Sequence, residues 1–204
     1  MSDGATRPIE DRDFAEWHGG CRHALVWALE ISPSEVDELL SAARRRLDGM
    51  LLPRYERQPH VTLAYAGLEP RQGATPSGHL YPPERLERDL EALRHLIPHR
   101  VELSVTGWGS FSMAPYLGVE GTGVTELHEA LAAPGERYVP HVTIGLYGVA
   151  EHIDLVAERM TGWPAAAVQV EVGAASLLRY ETADIAGPLS TVGRLDLTDG
   201  TWSV

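Results

Sequence analysis

The sequence predicts an α+β fold made of two similar halves with antiparallel sheets. Strand and helix signals alternate along its 204 residues, the returns between strands are short, and the tetrapeptide Pro-His-Val-Thr occurs twice. No compositional shift marks a linker. Residues 21–204 therefore read as one domain, preceded by a polar, loosely ordered tail over residues 1–20.

The elements follow in order. Residues 24–31 (ALVWALEI) form a largely apolar run of strand length. Ser32-Pro33-Ser34-Glu35 opens a helix: Ser32 caps it, Pro33 suits its first turn and Glu35 completes a capping box. Val36, Leu39, Leu40, Ala43 and Leu47 fall on one face of that helix, and Arg44-Arg45-Arg46 form its exposed basic end. A strand over 60–66 ends at Gly67, and residues 68–81, rich in Gly, Pro and Ser, read as a loop. A second helix spans 83–96, with Leu86, Leu90, Leu93 and Ile97 inward. Strands over 101–106 and 116–119 flank a turn around 107–115. Leu127 and Leu131 anchor a third helix, and a strand over 141–147 leads to Gly148. Ile153, Val156, Ala157 and Met160 mark a fourth helix, and strands over 168–180 and 191–197 close the chain.

Composition excludes several kinds of chemistry. With a net charge of −12 the chain opposes the many phosphate contacts of duplex nucleic acid, although a single phosphate can still find a local positive spot. The one cysteine, Cys21, cannot form an intrachain disulfide or a multi-cysteine metal site. All 17 basic residues are arginine, which removes lysyl Schiff bases, P-loop lysines and ligases that store a nucleotide on lysine. No apolar run approaches a membrane span, and the first twenty residues lack a signal-peptide core. A cytoplasmic monomer without a membrane partner is expected.

The repeat carries the chemistry. Pro59-His60-Val61-Thr62-Leu63 recurs as Pro140-His141-Val142-Thr143-Ile144; each copy reaches a glycine seven residues after its histidine, and Arg57 and Arg137 lie just upstream. In a strand, residues i and i+2 share a face, so each His-Thr pair projects together while Val61, Leu63, Val142 and Ile144 turn inward. If a pseudo-twofold axis relates the halves, the two pairs meet across a groove. One imidazole then accepts a proton from an attacking water or hydroxyl and the other donates one to the leaving oxygen. The threonine hydroxyls hold the non-bridging phosphate oxygens. The competing reading makes both histidines structural, and the repetition of an identical tetrapeptide counts against it. Two histidines with threonines, lacking an HExxH helix, make a poor metal set, so no metal and no cofactor are expected.

Two His-x-Thr-hydrophobic motifs about eighty residues apart resemble the 2H phosphoesterase superfamily, which includes the bacterial RNA 2′,3′-cyclic phosphodiesterases, or 2′-5′ RNA ligases. The likeness extends through Gly107-Trp108-Gly109-Ser110-Phe111, Tyr116-Leu117-Gly118-Val119 and the ending from Ser176 to Leu189, covering roughly residues 22–197. It implies two αβ lobes facing across a central groove, metal-free phosphodiester chemistry, and His60, Thr62, His141 and Thr143 as the catalytic four.

The substrate is less determined. Phe111, Tyr65, Tyr147 and Trp108 are candidates to stack a base, Arg57 and Arg137 to brace the phosphate, and His79 and Tyr81 to close over the substrate. Trp27 reads as core, and His18, His95, His99, His128 and His152 as surface residues. The expected substrate is a small nucleotide or short RNA end, such as a 2′,3′-cyclic phosphate or a 2′-5′ linkage. A phosphoesterase acting on a phosphorylated metabolite and a non-catalytic nucleotide-binding module stay open.

Overall fold

A computed structural model describes residues 4–10, 18–70, 80–133, 135, 137–164 and 167–204. β1 (His23–Glu30) has apolar surroundings on both faces. Leu25, Trp27 and Leu29 enter the main core, and Ala24, Val26 and Ala28 join a smaller cluster with Leu178, Tyr180 and Leu189. A strand buried on both sides reads as a continuous apolar run, as this one does. α1 (Pro33–Arg46) starts as expected, with the Ser32 N–H donating to Glu35 Oε2 at 3.2 Å, and it buries Val36, Leu40, Ala43 and Leu47.

The chain continues through β2 (His60–Leu68), α2 (Pro83–Arg94), β3 (Val101–Ser110), β4 (Pro115–Thr122) and α3 (Val124–Leu131). β5 (His141–Thr143), α4 (Ile153–Arg159), β6 (Val168–Val172), β7 (Ala174–Glu181), β8 (Ser190–Asp196) and β9 (Trp202–Ser203) complete it. Among the described residues nine strands form one sheet in the order β6-β3-β4-β5-β2-β1-β7-β8-β9, each paired antiparallel with its neighbours. Counted outward from the centre, β2-β1-β7-β8 mirrors β5-β4-β3-β6. The two expected halves thus share one sheet, joined at the dyad by the pair Val61 and Val142.

This sheet is not flat. β6 stands first and β7 seventh in the strand order, yet only Gly173 separates them in sequence. Six strand spacings across a flat sheet would cover roughly 29 Å, whereas Val172 and Ala174 lie at most about 7 Å apart along the chain. The sheet bends until the far strand of one half returns beside the other. The main hydrophobic core draws on all four helices described and on both halves.

Some expectations are corrected. The strand expected over 168–180 is two strands on different neighbours, β6 on β3 and β7 on β1, divided at Gly173. β5 ends at Thr143, where it reaches the start of β4: Ile144 N–H donates to Pro115 O, the first residue of β4, and Tyr147 N–H to Met113 O in the turn before it. Residues 4–10 are not a loose tail. Thr6 is buried, and its hydroxyl donates to Val149 O at 2.9 Å and accepts from Glu151 N–H at 2.8 Å. Of the arginine run, Arg45 is exposed, but Arg44 Nε donates to Ile144 O and Arg46 Nη1 to Thr161 O, tying α1 to the second half. Among the described residues, no helix is long and apolar enough to cross a membrane.

Candidate active site

Alternation along β2 and β5 sends Val61, Leu63, Val142 and Ile144 fully into the core. His60, Thr62, His141 and Thr143, which alternate with them, face the other way. With Val61 opposite Val142, the antiparallel register sets Thr62 across from His141 and His60 across from Thr143. Each histidine is therefore matched with the threonine of the other copy.

Both imidazoles are anchored alike. His60 Nδ1 lies 2.7 Å from Gln58 O, and His141 Nδ1 lies 2.7 Å from Val139 O, in each case the carbonyl two residues upstream. A carbonyl only accepts, so Nδ1 carries the proton and Nε2 is left with its lone pair in the neutral ring.

Their surroundings differ. His141 and Thr62 line a cleft of about 580 Å³ together with Ala64, Tyr65, Phe111 and Arg137. Phe111 packs on Tyr116 at 4.6 Å between ring centroids, and both lie near the His141 ring, at 4.9 and 5.2 Å. Gly109 on the neighbouring strand leaves the Tyr116 ring its place, since a Cβ there would overlap that ring. Burial holds the His141 imidazole below the usual histidine range, against the bond to Val139.

His60 is enclosed, at 8% exposure. It follows a segment laced to the loop after β7: Glu56 N–H donates to Ala186 O, and Gln58 exchanges side-chain bonds with the Leu189 backbone at 3.1 and 2.9 Å. Burial pushes His60 down to about 4, against its bond to Gln58; Arg57 and His141 add to the depression and Glu30 opposes it. Glu30 is the direct β1 neighbour of His60, held by Arg194 at 3.0 Å and by the Ser176 hydroxyl at 2.6 Å. Where the first half has Glu30, the second has Gly118 opposite His141. On the same enclosed side the Tyr55 hydroxyl approaches Thr143.

A model of the 2′-5′ RNA ligase superfamily matches residues 32–184, which contain both repeats. The chain belongs to that superfamily. Solved structures share the fold at low identity. E. coli LigT complexed with 3′-AMP matches over 87% of this chain and 99% of its own, with a TM-score of 0.54 and 14% identity. E. coli LigT complexed with phosphate matches over 88% and 99%, at 0.52 and 15%. A protein described as a phosphoesterase matches over 86% and 99%, at 0.52 and 14%. No curated protein sequence matches the chain. The superfamily is one of phosphoesterases, and phosphoester chemistry is the activity that membership supports.

Within this 2′-5′ RNA ligase fold the sequence candidates separate. Tyr65, Phe111 and Arg137 line the cleft beside His141. Tyr147 does not: it is fully buried, with its hydroxyl 2.7 Å from Ser110 Oγ, and so cannot stack a base. Trp108 packs half-buried against the core. Tyr81 is no lid; it is buried, donates to Asp89 Oδ2 at 2.7 Å and accepts from Trp27 Nε1. His79 lies outside the described residues. Two presumed surface histidines, His18 and His128, are buried. His128 donates to Leu63 O and stacks on Tyr138, whose hydroxyl donates to Thr62 O, so this pair braces the backbone of the first motif. Tyr55, Tyr138 and His128 carried no signal in the sequence, because their partners are remote along the chain.

Proposed function

We propose that the chain is a metal-independent phosphodiesterase in which His60 and His141 act as paired acid and base on one phosphate. The observation that carries this reading is the matched anchoring of two imidazoles on adjoining strands, each with Nε2 free and a threonine of the other copy across from it. One neutral imidazole takes a proton from the attacking water at Nε2 as the new P–O bond forms. The other, protonated, delivers its Nε2 proton to the departing oxygen as the old P–O bond breaks, and proton exchange with solvent restores the starting protonation of the pair before the next turnover. The Thr62 and Thr143 hydroxyls donate to the non-bridging oxygens, where charge is held during transfer.

The open side of the site bears on the substrate. Phe111, Tyr116 and Tyr65 offer ring faces beside His141, which suits a nucleobase attached to the phosphate. LigT, which shares the fold, has been crystallised with phosphate and with 3′-AMP. A 2′,3′-cyclic nucleotide, a 2′-5′ linkage or a short RNA end fits these features. The test is a panel of 2′,3′-cyclic nucleotides, 2′-5′ dinucleotides and cyclic-phosphate-ended RNA, assayed with a metal chelator present. Turnover of at least one member is expected. Activity that vanishes in chelator and returns with one divalent ion would overturn the metal-independent mechanism.

A further inference from the structure

Arg57 and Arg137 look like a matching pair in the sequence, but they are not equivalent. Arg57 precedes its histidine by three residues and Arg137 by four, and the residue that corresponds to Arg57 in the second copy is Tyr138. Arg137 is exposed at the cleft. Arg57 has its Nε and Nη2 buried without a hydrogen-bond partner. Its guanidinium lies over the Tyr180 ring at 4.4 Å and also reaches the Tyr180 hydroxyl, contacts that hold the group in place while Nε and Nη2 keep no hydrogen-bond partner.

Carboxylates that could satisfy those donors are engaged elsewhere. Glu56 and Asp184 are held by Arg54, at 3.0 and 2.5 Å, and Glu30 is held by Arg194 and Ser176. Arg57 also lies within electrostatic reach of His60 and of Tyr55, the tyrosine that approaches Thr143. A buried guanidinium edge with two free parallel donors is costly to leave unpaired and matches the spacing of two oxygens on one phosphate.

We propose that Arg57 binds the scissile phosphate directly, presenting Nε–H and Nη2–H as a fork to two non-bridging oxygens at the enclosed His60–Thr143 side of the site. This rests on the reading that the phosphate lies between His60 and His141. It gives the acidic chain a cation committed to the reaction, held in place over Tyr180 while its Nε–Nη2 edge stays uncommitted.

The test titrates inorganic phosphate into the wild type, Arg57→Met and Arg57→Lys, following the imidazole C–H resonances of His60 and His141 by NMR. These are assigned with the two His→Gln variants, and the melting temperature is measured alongside. In the wild type, phosphate shifts both imidazoles. Arg57→Met, which keeps an unbranched side chain of similar reach but removes the guanidinium, should bind phosphate at least about tenfold more weakly. Its melting temperature should be unchanged or raised, because an unpaired buried charge has been removed. Arg57→Lys keeps the charge but loses the fork and should fall between. Wild-type phosphate affinity in Arg57→Met, with both imidazoles still shifting, would overturn the role of Arg57 and leave the two-histidine reading intact. A lowered melting temperature with affinity retained would make Arg57 a packing residue. No imidazole shift in the wild type would overturn the two-histidine reading itself.

Discussion

Val61 faces Val142 across the junction of the two halves, and neither is exposed to solvent. That one apolar pair sets the register of the two His-Thr pairs, since a one-residue slip would turn the histidine of the shifted strand into the core. Val61→Ala is expected to cost on the order of 2 kcal/mol in stability, measured by urea unfolding. Turnover well below the unfolding transition should stay close to that of the wild type, because the remaining pattern keeps the register. A large loss of turnover in the folded variant would mean that the junction does more than set the register.

Thr62→Val and Thr143→Val keep strand shape and remove one hydroxyl each. Each is expected to lower kcat roughly tenfold, the worth of one hydrogen bond to a charged group. The melting temperature should barely move. Steady-state kinetics and a thermal melt check both parts.

The aromatic shelf should matter for bases and not for phosphates. Phe111→Ala is expected to raise KM for a cyclic nucleotide roughly tenfold, by loss of one stacking face. Gly109→Ala should act similarly by displacing the Tyr116 ring. A base-free cyclic phosphate, glycerol 1,2-cyclic phosphate, should show little change in either variant.

The depression of His60 links pH to stability. Its imidazole titrates at about 4 when folded, below the 6.5 of a free histidine. Between those values the unfolded chain binds the extra proton and the folded one does not. Stability present above pH 6.5 is therefore lost as pH falls to about 4, at about 1.4 kcal/mol per pH unit from this group. Urea unfolding at several pH values should show that slope, and His60→Gln should remove it. The same depression, shared by His141, centres the kcat/KM bell below pH 6.5. The kcat bell should lie higher, because a bound phosphate anion favours protonated imidazole.

Period-two alternation made the His-Thr repeat legible, since it dictates which residues share a face whatever the rest of the chain does. The helices were legible from the 3.6-residue spacing of their apolar faces, with Ser32 and Glu35 marking the start of α1 as a capping box. What could not be read depends on contacts remote in sequence. Tyr147 and Tyr65 are alike as letters, yet one is sealed against Ser110 and the other opens to the cleft. The split at Gly173 escapes notice because residues 168–180 suit a strand throughout, and only the bend of the sheet sends their two parts to different neighbours. The pairing of each histidine with the other copy's threonine follows from the register at Val61, which no local pattern specifies.

His60 and His141 are proposed to work as one unit on one phosphate. Single-turnover hydrolysis of a 2′,3′-cyclic nucleotide by His60→Gln, His141→Gln and the double variant tests it most directly. Each single change is expected to slow the chemical step by about 10²-fold or more, and the double change by little beyond the worse single one, as for residues that act together. A single variant that turns over at near the wild-type rate while fully folded would contradict the account, because its histidine would then be structural.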